Sequence, residues 1–152
     1  MEAYDRLRPY TDDGPCDCAS IDQLLLVEIL TANPVRCFSC KGYVDPQRIA
    51  LTGKQVEAVA SWERVFSALY NLWLDSGEYE AWAKQQLLRR DGRVNVLGMA
   101  ARAALAQSRP TFYWWFHDSD DAASTSCPWC DGEIIPAVRH GVSQCNSCWI
   151  VV

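Results

Sequence analysis

The chain has 152 residues, with 14 lysines and arginines against 19 aspartates and glutamates, a formal net charge of −5. That length supports one domain with a real core, and 49% apolar with 22% charged residues excludes wholesale disorder. The acidity disfavours a surface that binds nucleic acid or anionic lipid throughout, while leaving room for a local basic patch. Eight cysteines and seven tryptophans are the unusual counts.

The opening Met1-Glu2-Ala3-Tyr4-Asp5-Arg6 lacks the cationic start and apolar stretch of a signal peptide. No apolar run approaches the ~20 residues of a membrane span; the patch around Leu24 to Leu30 is interrupted by Glu28. The expected setting is a reducing cytoplasm with no membrane. There, eight cysteines point to metal rather than disulfides.

Residues 1–19 are polar and acidic, with Pro9, Gly14 and Pro15, and read as an irregular arm. Ser20 with Gln23 suggests a capped helix through Leu24, Leu25, Val27 and Leu30, ended by Asn33-Pro34. Cys37 to Cys40 is a tight metal-type turn. Thr52 begins the longest predicted helix, to about Asp75, with Val56, Val59, Trp62, Phe66, Leu69 and Trp73 on its buried stripe. A second helix is expected over 78–90, with Tyr79, Trp82, Ala83 and Leu87 inward. A third, over 95–107, turns Leu97, Ala101, Ala104 and Leu105 inward, where small side chains permit close packing. Pro110 ends it. Phe112-Tyr113-Trp114-Trp115-Phe116-His117 then reads as an aromatic strand, with Phe112, Trp114 and Phe116 on one face. Residues 118–126 are an acidic loop. Beyond it, short strands at 133–138, 142–144 and 149–152 surround two Cys-x-x-Cys turns.

Those turns, Cys127-Pro-Trp-Cys130 and Cys145-Asn-Ser-Cys148, carry the strongest chemical signal. Two such pairs separated by a hairpin-length insert supply the four thiolates of a tetrahedral zinc site. Gly132 fits a knuckle needing permissive φ, and Gly141 falls where the hairpin must reverse. A disulfide oxidoreductase would instead place Cys-Pro-x-Cys at a helix start, and Asp131-Gly132-Glu133 is a poor one. Cys16-Asp-Cys18 and Cys37-Phe-Ser-Cys40 form a second candidate set, brought together if the intervening helix returns the chain. Sharing of one metal between the two chain ends, or unliganded Cys16 and Cys18, are the alternatives. Sites closed by four cysteines leave no open position, so both expected Zn²⁺ ions are structural.

No other catalytic constellation stands out. His117 and His140 are the two histidines, and only Asp118 adjoins one as a carboxylate partner. No phosphate-cradling loop, nucleophile elbow or His-Glu-x-x-His is present. Charge is uneven: residues 81–110 hold Lys84, Arg89, Arg90, Arg93, Arg102 and Arg109 against Asp91 alone, between acidic segments at 1–35 and 111–135. Solvated faces that neutralise each other within the fold are one reading of this; phosphate contacts or a basic protein partner are the others.

Asn33-Pro34-x-x-Cys37-x-x-Cys40, the stretch Leu72-Trp73-Leu74-Asp75-Ser76-Gly77-Glu78-Tyr79-Glu80-Ala81-Trp82, Tyr113-Trp114-Trp115-Phe116 and Cys127-x-x-Cys130 together resemble a group of small bacterial zinc-ribbon proteins, over residues 33–152. The resemblance implies a zinc role for the matching cysteines and supplies no catalytic residue. It does not reach Cys16 and Cys18.

The expected fold is α+β in a single compact domain, 1–152: an N-terminal zinc clip (1–50), a helical centre with one aromatic strand (51–117) and a C-terminal four-cysteine zinc ribbon (118–152). The expected function is that of a non-enzymatic, zinc-stabilised protein-binding protein, in its sharper form an immunity- or antitoxin-type inhibitor of a basic nuclease or toxin. The first alternative is a zinc-ribbon protein that binds nucleic acid through Arg89, Arg90 and Arg93 with exposed aromatics. The second is a zinc-dependent enzyme.

Overall fold

The computed structural model describes residue 7 and residues 14–30, 33–134, 140–141 and 143–152. Among these, β1 is Leu24–Leu26, β2 Val35–Cys37, α1 Gly53–Asp75, α2 Glu80–Leu88, α3 Arg93–Ala106, β3 Thr111–Trp114, β4 Gln144–Cys145 and β5 Ile150–Val151. Helices and strands are mixed, as expected, but the strands form one five-stranded sheet in the order β2-β1-β3-β5-β4. The inner neighbours β1, β3 and β5 run parallel, and each outer strand is antiparallel to its neighbour. The aromatic strand is therefore the centre of a sheet rather than a lone strand beside helices. Most of the N-terminal arm, and the predicted strand segments at 135–138 and residue 142, lie outside the described residues.

The helix expected after Ser20 is instead β1. Leu24, Leu25 and Leu26 are all at most 1% exposed. An unbroken apolar run suits a strand covered on both faces, where alternation is not needed. The face assignments follow the pleat. Leu24, Leu26, Tyr113, Trp115 and Ile150 join the core beneath the helices. Leu25, Phe112 and Val151 join a smaller layer with Phe38, Trp114 and Trp149 on the opposite face. Phe112 and Trp114 thus share a face as expected. Phe116 does not follow them, because β3 ends at Trp114, and its ring meets Tyr70 and Trp73 of α1.

Thr52 caps α1. Its hydroxyl accepts from the Gln55 N–H (3.2 Å), and the Gln55 side chain accepts from the Thr52 N–H (2.8 Å), a reciprocal box. Gln55 also donates to the Ala104 carbonyl and Ser108 hydroxyl, tying the start of α1 to the end of α3. The predicted stripe is correct in outline: Val56, Val59, Trp62 and Phe66 are buried, and Leu69 and Trp73 partly so.

In α2 only Ala83 and Leu87 are buried. Tyr79 and Trp82, expected inward, are each 51% exposed. The helix begins after Tyr79, so its inner stripe is the Ala83–Leu87 pair one turn apart. α3 buries Val94, Asn95, Gly98, Ala101 and Leu105, while Leu97 and Ala104 are only partly covered. Close packing does occur there, through Gly98, where an added Cβ would sit 2.6 Å from the Tyr113 ring and 2.9 Å from Trp62 Nε1.

Beneath that contact runs a buried polar chain. Trp62 Nε1 donates to the Tyr113 hydroxyl (3.3 Å), which donates to Asn95 Oδ1 (2.9 Å). Asn95 Nδ2 in turn donates to the carbonyls of Leu87 and Arg89, satisfying the end of α2. One network therefore joins all three helices to the central strand. No helix among the described residues is long and apolar enough to cross a membrane.

Candidate metal centres

The turns at Cys37 and Cys127 are built alike. Cys37 N–H donates to the Gly42 carbonyl (2.9 Å), Lys41 N–H to the Cys37 carbonyl (2.8 Å) and Gly42 N–H to Cys40 Sγ (3.4 Å). In the second turn, Cys127 N–H donates to Gly132 (2.8 Å), Asp131 N–H to Cys127 (2.9 Å) and Gly132 N–H to Cys130 Sγ (3.4 Å). Each turn is closed by an antiparallel bridge, Arg36 to Tyr43 and Ser126 to Glu133. The left-handed backbone falls on Lys41 (φ 65°) and Asp131 (φ 60°), one residue before the glycines, and on Trp149 (φ 59°) just after Cys148. This corrects the expectation that Gly132 supplies the permissive φ. At Gly132 a side chain would instead crowd the Cys130 sulfur, 3.1 Å from a would-be Cβ. At Gly42 the crowding is tighter: an added Cβ would lie 2.7 Å from the Cys16 N.

That crowding is how Cys16 and Cys18 are delivered. Their segment lies along Tyr43: Cys16 N–H donates to the Tyr43 carbonyl (2.9 Å) and Tyr43 N–H to Gly14 (3.2 Å). The Arg48 guanidinium donates to the carbonyls of both Cys16 and Cys18. The chain returns through the β1–β2 pair, not through the helix expected between the two cysteine pairs. At the other sheet edge, Cys145 ends β4 and Cys148 lies in the turn before β5.

Two groups result: Cys16, Cys18, Cys37 and Cys40, and Cys127, Cys130, Cys145 and Cys148. Within each, the four sulfurs lie within 4.8 Å of one another and can hold a metal ion. All eight cysteines are free thiols. Cys130 and Cys145 sulfurs stand 3.8 Å apart, far beyond a disulfide bond. The grouping pairs neighbours at each edge and does not mix the two ends of the chain.

Thiol electrostatics differ within each group. Burial works against the Cys37 thiolate, but the N–H groups of Cys40 and Ser39 outweigh it and bring the thiol down to about 7. The Gly132 N–H lowers Cys130 in the same way. Burial raises Cys16 and Cys127. Cys18 is pushed up to about 12 by its hydrogen bonds to the neighbouring sulfurs, Cys16 foremost, and burial raises Cys148. Four thiolates this close cannot all ionise alone, and a divalent cation removes that conflict. An all-sulfur tetrahedral set suits zinc or iron–sulfur chemistry, and four protein ligands leave no open position for substrate. Cys127-Pro-Trp-Cys130 forms a turn followed by a bridge, not the helix start a redox pair uses.

Most of the basic stretch is engaged in contacts within the chain, with Arg89, Arg90 and Arg93 at the surface. Arg90 donates to the Pro128 carbonyl and to Asp131 (2.6 Å), clasping the second knuckle. Lys84 pairs with Asp118 (2.8 Å) and Asp121 (2.9 Å), and Arg89 with Asp91. Arg102 reaches the Thr111 carbonyl, and Arg109 those of Ile21 and Ile49. Of Arg89, Arg90 and Arg93, the three considered for nucleic-acid binding, Arg93 alone has no ion pair among the described residues. Neither histidine joins a cysteine group; their rings stack on each other at 4.3 Å. Phe112, Tyr113, Trp115 and Phe116 are buried, so the aromatic run is core rather than a stacking platform. Arg48 is the supporting residue that sequence alone did not mark, and Arg90 was marked there only for phosphate contact; each reaches its partners across thirty residues or more.

No family model, curated protein or solved structure matches the chain.

Proposed function

We propose that both four-cysteine groups hold structural zinc, the second in a zinc ribbon, and that the chain is a non-enzymatic protein-binding protein. One observation carries the binding reading. Tyr79 and Trp82 are each half-exposed, and Leu74 is 45% exposed, at the corner between α1 and α2. Large rings are costly to leave in water and are enriched where proteins meet. The donor sets support the zinc reading, because closed thiolate sites stabilise a fold and offer substrate no coordination position. The pairing of Arg89 with Asp91 and of Arg90 with Asp131 offsets part of the local positive charge and favours a protein partner over nucleic acid.

Acidic charge gives the sharper form: an inhibitor, of the immunity or antitoxin kind, for a basic enzyme such as a nuclease. A photo-crosslinking side chain at position 82, with a control at exposed Asp120, tests this in the native host. The expected result is one discrete protein adduct at 82 and none at 120, the captured partner being a basic enzyme inhibited by the chain. Equal, diffuse labelling at both positions contradicts it.

A further inference from the structure

The exposed rings at the α1–α2 corner do not stand alone. Leu72 from α1, with Glu78, Tyr79 and Trp82, lines one open groove of about 490 Å³. Leu72 gives it an apolar floor, Tyr79 and Trp82 give two π faces three residues apart, and Glu78 gives a carboxylate. Among the described residues Glu78 has no ion pair. Asp75, three residues earlier in the chain and not part of the lining, is also exposed and has no ion pair among them. Glu80 is occupied differently, accepting from the Gly77 N–H (3.2 Å). The nearest cation along the chain, Lys84, is committed to Asp118 and Asp121 on the loop after β3. The groove therefore joins aromatic faces to uncompensated negative charge.

A purely apolar ligand would cover Glu78 without satisfying it, and burying an unpaired carboxylate is costly. A cation over the rings meets both demands. Its charge is drawn to the negative ring faces, and Glu78 accepts its hydrogen bonds. Among cationic side chains, a guanidinium fits best, since its plane stacks on an indole while its N–H fork addresses a carboxylate.

We propose that the groove formed by Leu72, Glu78, Tyr79 and Trp82 is a recognition site for an arginine side chain on a basic protein partner. This rests on the protein-binding reading above and names the chemistry that the partner presents. On the far side of Trp82 a second, smaller depression is lined by Val65, Leu69, Gln86, Arg93 and Val94. It leaves room for an apolar neighbour of the arginine and, through Arg93, disfavours a second cation there.

The test uses the full metal-loaded chain, with the Trp82 indole N–H observed by NMR. Two probes are titrated: acetyl-Gly-Leu-Arg-Leu-Gly-amide, and the same peptide with neutral citrulline in place of arginine. The arginine peptide is expected to shift the Trp82 signal saturably and to bind about tenfold tighter than its citrulline twin. Glu78→Gln should remove about threefold of that difference. Trp82→Leu, which keeps apolar bulk without a π face, should remove most of the rest, with Tyr79 resonances as the readout. Equal binding of both peptides overturns the arginine site while leaving an apolar protein-docking surface. No shift with either peptide overturns the arginine site and counts against the binding reading as well.

Discussion

Gly98 lies where α1, α3 and β3 come together, and its missing side chain is a structural requirement. In an ordinary helix interior, Gly→Ala stabilises by up to about 1 kcal/mol through backbone entropy. Here the new methyl would press on the Tyr113 ring and on Trp62 Nε1, both buried and held by hydrogen bonds. Overpacking of this kind costs about 1–3 kcal/mol, so the clash outweighs the propensity. Gly98→Ala is expected to lower stability by about 1–2 kcal/mol net, measured by urea unfolding of the metal-loaded chain; a stabilised variant would contradict the packing described. An alanine-rich helix announces close packing in the sequence. Which position touches the partner does not show there, because Tyr113 meets Gly98 only after β3 takes its place in the sheet.

Elements with strong local signals were legible, and those defined by tertiary company were not. α1 carries its own start, Thr52 with Gln55, and a long stripe with helical spacing. The Cys37 and Cys127 turns are each held mainly by their own backbone, so both knuckles could be read from short segments. β1 could not, since three leucines after a plausible cap fit a helix or a doubly covered strand equally until β2 and β3 flank them. Tyr79 and Trp82 were misassigned inward for the same reason: a short helix has too few turns to fix its inner face. The loop after β3 shows element-scale coupling of another kind. Lys84 holds Asp118 and Asp121, His140 contacts the Asp121 carbonyl (3.1 Å), and His117 stacks on His140. Burial, with the nearby His140, lowers His117 below its usual 6.5, although Asp118 acts in the opposite direction. The folded state therefore binds the His117 proton less readily than the unfolded chain does. Its stability contribution is retained above about 6.5 and declines as pH falls below that value, because the unfolded state then gains protons first. Thermal unfolding between pH 7.5 and 5.5 should show a falling midpoint, with a shallower slope in His117→Gln; an unchanged slope would contradict this assignment.

Across the whole molecule, the cysteine groups occupy opposite edges of one sheet, outside the helices that cover its face. The first group joins the segment before β1 to the end of β2; the second joins the knuckle after the acidic loop to β4 and the approach to β5. Both edge strands are very short, two or three residues each, and short strands have little pairing of their own. Metal binding of roughly 10 kcal/mol or more per structural site would supply what these edges lack. The same layout explains how a chain of charge −5 can contain a basic stretch: Lys84, Arg89 and Arg90 pair with acids of the same chain, while the acidic, aromatic α1–α2 corner stays exposed.

The most direct test of this account is native mass spectrometry of the full chain, purified without chelator and with its cysteines kept reduced. Two zinc ions per chain are predicted, with one lost in Cys37→Ser and a different one lost in Cys127→Ser. A folded chain at its bare mass, or one whose cysteines have paired as disulfides, would contradict it.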